Sequence, residues 1–297
     1  MPNNAAWDTA TTDPANRATQ AVSLHVAARA AATPAQGALT AVERRFTKTR
    51  NFEGVVGIKA ESDSSGYDGT AGRAIYVDSP VYQGTTAGKT SIMTTDAETN
   101  YGGNGGGGFG KWGGSMAFPT SLVQGDELFI RFSMYYPAGF IHYTNGGGGR
   151  VKFLRVRTST PSNSNKGYID LYWDNSSSSA TYKFIKEFSP NRWVNVGEKS
   201  QFPHVSGQWV TYNVHYILHS DPAIGKATFW RDGQLMASFN ETTLSVADDS
   251  ADFIYHFTYW NGTVPQDQHC YTDDWKITSD RNETVIDPVT GFPWIGE

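Results

Sequence analysis

From residue 52 onward, apolar side chains recur at every second position, and no long stretch repeats at the helical period. Leu128, Ile130, Phe132 and Met134 alternate with Phe129, Arg131, Ser133 and Tyr135. Ile169, Leu171 and Trp173 alternate with Tyr168, Asp170, Tyr172 and Asp174, and Val210, Tyr212, Val214, Tyr216 and Leu218 with Trp209, Thr211, Asn213, His215 and His219. A strand places successive side chains on opposite faces, so each segment reads as a strand with one face packed and one polar. Asp232-Gly233, between Phe229-Trp230-Arg231 and Gln234-Leu235, reads as a tight hairpin turn. Clusters of Gly, Asn, Asp and Ser punctuate the strands. The pattern predicts an all-β sandwich.

The 16 Phe, 15 Tyr and 9 Trp among 297 residues supply a large core, which excludes global disorder. No apolar run is long enough to span a bilayer, so no membrane insertion is expected. The net charge of −5 argues against nucleic acid as a partner. Cys270 is the only cysteine, which excludes an internal disulfide and a cysteine-based zinc site.

Residues 1–50 differ from the rest, being Ala-rich with only Trp7 and Phe46 as aromatics. Asp13-Pro14 fits a helix start, and Val22, Val26 and Ala30 follow at helical spacing. The division expected is a 1–50 N-terminal arm, extended or helical, and a 51–297 sandwich. The arm's opening residues lack the basic and apolar regions of a secretory signal. Two glycine-rich segments, Asn100–Gly114 and Asn145–Gly149, read as loops, and Trp112 in the first is a candidate ligand contact.

Gly207-Gln208-Trp209, Asn213-Val214-His215 and Gly225-Lys226-Ala227-Thr228-Phe229-Trp230-Arg231-Asp232-Gly233 together resemble a strand pair of concanavalin A-like jelly rolls. The pattern is similar to that of polysaccharide lyases of the heparin-lyase and glucuronan-lyase type. Tyr259-Trp260-Asn261-Gly262 with Tyr271-Thr272-Asp273-Asp274-Trp275-Lys276-Ile277 resembles the closing strands, and Gly72–Val77 with Pro80–Gly84 an opening pair. The resemblance spans roughly residues 65–295 and implies a lectin-like or laminin-G-like jelly roll. It also implies β-elimination on uronic-acid polymers, which needs a group to neutralise the carboxylate, a base for the C5 proton and an acid for the leaving oxygen.

Arg155, Tyr172 and His215 are the catalytic candidates under that reading, with His215 as the base. Arg155 and Arg157, then Tyr168, Asp170 and Tyr172, then Asn213, His215 and His219 form polar stripes that, placed side by side, would line one sugar-binding face. The Gln-Ile-His and Tyr-Phe-Lys-Ala-Gly-x-Tyr strands of alginate-type lyases are absent, and Asn213 stands where the glutamine would be. Asp170 and Asp174 lie ~13 Å apart by strand rise, too far for a glycosidase pair, and no Gly-x-Ser-x-Gly elbow occurs. No metal site is assigned. Calcium is the one cofactor considered, through Glu61, Asp63 and Asp68 or the pair Asp273-Asp274.

These features point to a non-enzymatic virion-surface protein, of the phage capsid-decoration, fibre or receptor-binding type. It would bind glycans through the jelly roll, contact virion proteins through residues 1–50 and form a homo-oligomer. The alternative is a polysaccharide lyase, with an extracellular location.

Overall fold

The computed structural model describes residues 40–63, 72–95, 113–142, 150–174, 181–260 and 264–296. The strands in chain order are β1 Thr47–Arg50, β2 Ala74–Val77, β3 Ala87–Ile92, β4 Gly114–Leu122, β5 Glu127–Tyr135, β6 Arg150–Ser159 and β7 Asn165–Asp174. They continue as β8 Thr181–Lys186, β9 Arg192–Gly197, β10 Trp209–Ile217, β11 Lys226–Arg231, β12 Gln234–Asn240, β13 Ser250–Trp260 and β14 Gln268–Thr278. The short pair β15 Val285–Ile286 and β16 Pro293–Trp294 follows a 3-10 turn at Arg281–Glu283. The expected N-terminal helix, the glycine-rich segments (save Gly113 and Gly114) and Trp112 lie outside the described residues.

The strands form an all-β sandwich. An eight-stranded antiparallel sheet runs β12-β11-β10-β5-β14-β3-β2, with β1 pairing β14, and a six-stranded sheet runs β4-β13-β6-β7-β8-β9. The alternation on β5, β7 and β10 maps onto the sandwich as the sequence predicts. Ile130, Phe132 and Met134 meet Leu171, Trp173 and Phe184 in one buried core. Phe132 lies at its centre, stacked on Trp275 at 4.2 Å and on Tyr212 at 5.1 Å between ring centroids. The Tyr182 and Tyr212 hydroxyls, one from each sheet, hydrogen-bond at 3.0 Å, so each polar tip is satisfied inside the apolar layer.

Two details depart from the sequence reading. Pro80–Gly84 is a run of bends, and the strand that pairs with β2 is β3, in register Ala74↔Thr90 to Val77↔Ala87. The 50/51 boundary falls at the end of β1, which pairs with β14 from Thr47↔Thr278 to Arg50↔Trp275. The β11–β12 hairpin turns at Asp232 and Gly233, both at positive φ. These are the two left-handed positions of the tight hairpin that Asp-Gly signals.

Candidate functional site

The polar stripes do not share one face. β6 and β7 belong to the six-stranded sheet and β10 to the eight-stranded one. In a sandwich the outward faces of the two sheets point apart. Arg155, Arg157, Tyr168, Asp170 and Tyr172 therefore gather on one outer face, while Asn213 and His215 lie on the opposite side of the molecule.

His215 lies on that opposite side, away from the arginines and tyrosines. It is buried, stacked on Phe129 at 4.4 Å, and its Nε2 lies 2.7 Å from Glu127, whose other oxygen accepts from Arg281 at 2.9 Å. Burial lowers its pKa, against the opposing pull of Glu127. The C-terminal segment covers this part of the sheet. Asp287 accepts from Trp230 Nε1 at 3.0 Å, and the Gly296 carbonyl accepts from Asn213 Nδ2 at 3.4 Å. His219 stands beyond β10 in a turn, where its Nδ1 accepts from the Asp221 amide at 2.9 Å. None of the three joins the arginine and tyrosine stripes.

The outer face of the six-stranded sheet brings together cations, carboxylates and phenols. Register pairs Lys152 with Tyr172 and Tyr172 with Lys183 across β6, β7 and β8. The next row pairs Tyr255 with Arg155 and Arg155 with Asp170, and the third Phe253 with Arg157 and Arg157 with Tyr168. Directly opposed residues hold their Cβ atoms about 4.5–5.5 Å apart, so side chains within a row touch.

Four of these charges form a closed cluster. Lys152 Nζ lies 3.0 Å and Arg155 Nε 3.2 Å from the two oxygens of Asp170. Glu187, just beyond β8, pairs with Lys152 and accepts from Arg155 Nη2 at 2.8 Å. Lys152, Arg155 and Asp170 are all buried, and Glu187 forms the outer edge. The Arg155 guanidinium also lies 3.8 Å over the Tyr168 ring, in cation–π contact. Arg157 pairs with Asp252 through Nε at 2.8 Å. Tyr172 is buried beside Lys152, and Lys183 pairs with Asp174 at the half-exposed margin.

Burial sets the electrostatics. It lowers the Lys152 ammonium below the ordinary lysine range, reinforced by the Arg155 charge and opposed by Asp170 and Glu187. It raises the Asp170 carboxyl despite the two cations beside it. At the outer edge burial pushes Glu187 up, but Arg155 and Lys152 outweigh it and carry the group below its usual value. The face thus holds an ion-paired lysine, a guanidinium fixed by the same carboxylates and a phenol side by side.

Lys152, Lys183, Glu187 and Tyr255 are absent from the sequence-derived set. Lys152 is hidden by parity: a bulge between Lys152 and Leu154 inserts one residue. Strict alternation would turn Lys152 away from Arg155, and the bulge puts both on one face.

The carboxylates considered for calcium have protein partners. Asp63 pairs with Lys48, and with Arg50 at 3.1 Å; it also accepts from the Ala117 amide, while Glu61 lies 3.4 Å from Arg50. Asp273 accepts the amides of Tyr82 and Gln83, each at 3.1 Å, and Asp274 pairs with Arg131. Asp68 lies outside the described residues. Among the described residues no group of three His, Cys, Asp or Glu could hold a metal ion.

The sandwich is that of polysaccharide lyases among the solved structures. A double variant of the alginate lyase Aly36B in complex with alginate tetrasaccharide is similar with a TM-score of 0.52 at 13% identity, covering 79% of this chain and 97% of that one. Unsubstituted Aly36B gives 0.51 at 14%, covering 78% and 96%. The endo-β-1,4-glucuronan lyase of the fungus Trichoderma reesei gives 0.48 at 14%, covering 79% and 95%. No protein-family model and no curated protein sequence matches the chain. The two Aly36B likenesses establish the fold. The virion-surface reading is corrected at this point: the solved structures named here are polysaccharide lyases, and none of them is a capsid decoration, fibre or receptor-binding virion protein.

Proposed function

We propose that the protein is a polysaccharide lyase that cleaves uronic-acid polymers by β-elimination on the outer face of the six-stranded sheet. The observation that carries this is the adjacency of Lys152 and Tyr172 in one row and Arg155 in the next. The chemistry requires those three types of group together. A cation beside the uronate carboxylate lowers the acidity barrier at C5, and Arg155, fixed by Asp170 and Glu187, is the group of that type. Lys152, whose ammonium burial holds below the ordinary lysine range, is the group placed to take the C5 proton. As the C4–oxygen bond breaks and the C4–C5 double bond forms, the Tyr172 hydroxyl donates its proton to the leaving oxygen. Solvent then reprotonates the phenolate and takes the proton from Lys152.

Lys152 takes the role expected of His215, which lies on the other sheet. Arg157, Tyr168 and Lys183 stand at the margin, where aromatic and cationic side chains suit an acidic sugar chain. The substrate class gains support from the fold, shared with lyases whose structures hold alginate oligosaccharides.

The test is the ultraviolet absorbance of the unsaturated product on alginate, glucuronan and heparin, with Tyr172→Phe and Lys152→Met beside the wild type. The expected result is product with the wild type on at least one polymer and a fall of about 100-fold or more in each variant. Unchanged rates in both variants, or no product from any of the polymers, would overturn the proposal.

A further inference from the structure

The outer face of the eight-stranded sheet, on the opposite side of the sandwich, carries a cavity of its own. Beside the stretch covered by the C-terminal segment, and sharing Asn213 with it, the outer face of the eight-stranded sheet opens into a cavity of about 260 Å³. Trp209, Tyr82, Arg131, Asn213, Thr211 and Asp232 line it. Its volume lies below the roughly 300–1,000 Å³ of drug-sized pockets and suits one sugar ring.

The cavity has an aromatic wall. The Tyr82 and Trp209 rings meet edge to face at 5.6 Å, and both are half-buried. The wall is held in place, since Asp273 accepts the Tyr82 and Gln83 amides and Thr211 donates to the Tyr82 hydroxyl at 3.2 Å. From Trp209 the rings continue across three adjacent strands. Trp209–Tyr135 centroids lie 5.6 Å apart, Tyr135–Tyr271 5.7 Å and Tyr271–His269 5.2 Å. Trp209↔Tyr135 and Tyr135↔Tyr271 are register partners, so the row crosses β10, β5 and β14 along the hydrogen-bonding direction. Neighbouring rings of the row are steeply inclined to one another and Tyr271 is buried, so the half-buried Trp209 and Tyr135 supply the aromatic surface on which a sugar can pack.

The polar groups indicate which sugar. Arg131 is paired with Asp274, and the Asp232 carboxylate lies 3.3 Å from Arg231, so the cavity presents no uncompensated cation to an acidic sugar. Two lining side chains more than nine-tenths buried each keep one polar atom without a protein partner, Arg131 Nε as a donor and Asn213 Oδ1 as an acceptor. A neutral ring needs no counter-charge in such a cavity, whereas a carboxylate would enter it with no free cation to meet it. We infer that this cavity and its aromatic row bind a neutral polysaccharide strand, one uncharged pyranose seated against Trp209. The site is separate from the proposed lyase face and does not depend on that reading.

The test is calorimetric titration of the full chain with cellohexaose, mannohexaose, xylohexaose and laminarihexaose, with an alginate hexasaccharide alongside. The expected result is binding of at least one neutral hexasaccharide, weakened about tenfold or more by Trp209→Ala and much less by Trp209→Phe. Tyr135→Ala, one ring further along, is expected to weaken it as well and serves if Trp209→Ala does not fold. Tyr172→Phe, on the other sheet, is expected to leave it unchanged. Binding of none of the neutral sugars, or binding that Trp209→Ala and Tyr135→Ala both leave intact, would overturn the inference. So would neutral-sugar binding that Tyr172→Phe abolishes, since that would move the sugar to the other face.

Discussion

Replacing Asp170 by Asn tests the charge cluster at the centre of the proposed site. Asn keeps the shape and removes the charge. Lys152 and Arg155, both buried, would then lose a buried carboxylate they share and keep Glu187, which sits at the outer edge. Breaking a buried pair by removing one partner costs about 3–5 kcal/mol, because a desolvated charge is left uncompensated. With a urea slope of about 3 kcal/mol/M, the midpoint should fall by about 1–1.7 M at neutral pH. Adding Lys152→Met to Asp170→Asn restores the balance of one cation to one carboxylate, and should recover part of the loss as a coupling of about 0.5–3 kcal/mol. Urea unfolding followed by tryptophan fluorescence measures both. A single-variant loss below about 1 kcal/mol, or losses that add without coupling, would refute the closed-cluster account.

Three further outcomes are expected. His142 and His204 stack at 4.4 Å, and burial holds them at about 2 and about 3, while burial also holds His256 at about 3. Their folded values lie below the ordinary 6.5, so their contribution to stability is complete above that pH. It is lost as the pH falls through about 6.5 toward the folded values, by up to about 1.4 kcal/mol per unit for each group. His256→Phe should shallow the acid limb of the stability–pH curve in denaturant titrations, and an unchanged slope would contradict this. Gly233 holds a positive φ in the hairpin. Gly233→Ala places a side chain in that left-handed conformation and should cost about 1 kcal/mol or more, read as a drop in the thermal midpoint. His215→Gln should leave elimination of the uronate polymer within about twofold of the wild type, because His215 packs on Phe129 in the other sheet; a loss of about 100-fold would return it to the catalytic set.

The strands were readable because burial on one face imposes a period of two that tertiary packing respects. β5, β7 and β10 carry their apolar sets inward, as Leu128–Met134, Ile169–Trp173 and Val210–Tyr216 predict. Asp232-Gly233 was readable because its left-handed turn favours those residue types. Pairing was not readable, because alternation shows which side chains share a strand face but not which strands share a sheet. Alternation alone therefore groups Asn213 and His215 with Arg155 and Tyr172, which lie one sheet away. Bulges hid the rest: one extra residue near Lys152 changes the face of everything beyond it, and Asp274 does the same within β14. The cover that the C-terminal segment lays over His215 rests on contacts such as Trp230–Asp287, separated by 57 residues and marked by no local motif.

The most direct test of the central claim is mass spectrometry of the oligosaccharides released from alginate and glucuronan, with Tyr172→Phe as the control. β-Elimination predicts oligomers with an unsaturated non-reducing end, each lighter by one water than a hydrolysis product, and their near disappearance in the variant. Products carrying the added water would mean a hydrolase acting on this face, and unaltered polymer would mean that Lys152, Arg155 and Tyr172 are a structural cluster only. Either result would contradict the lyase account.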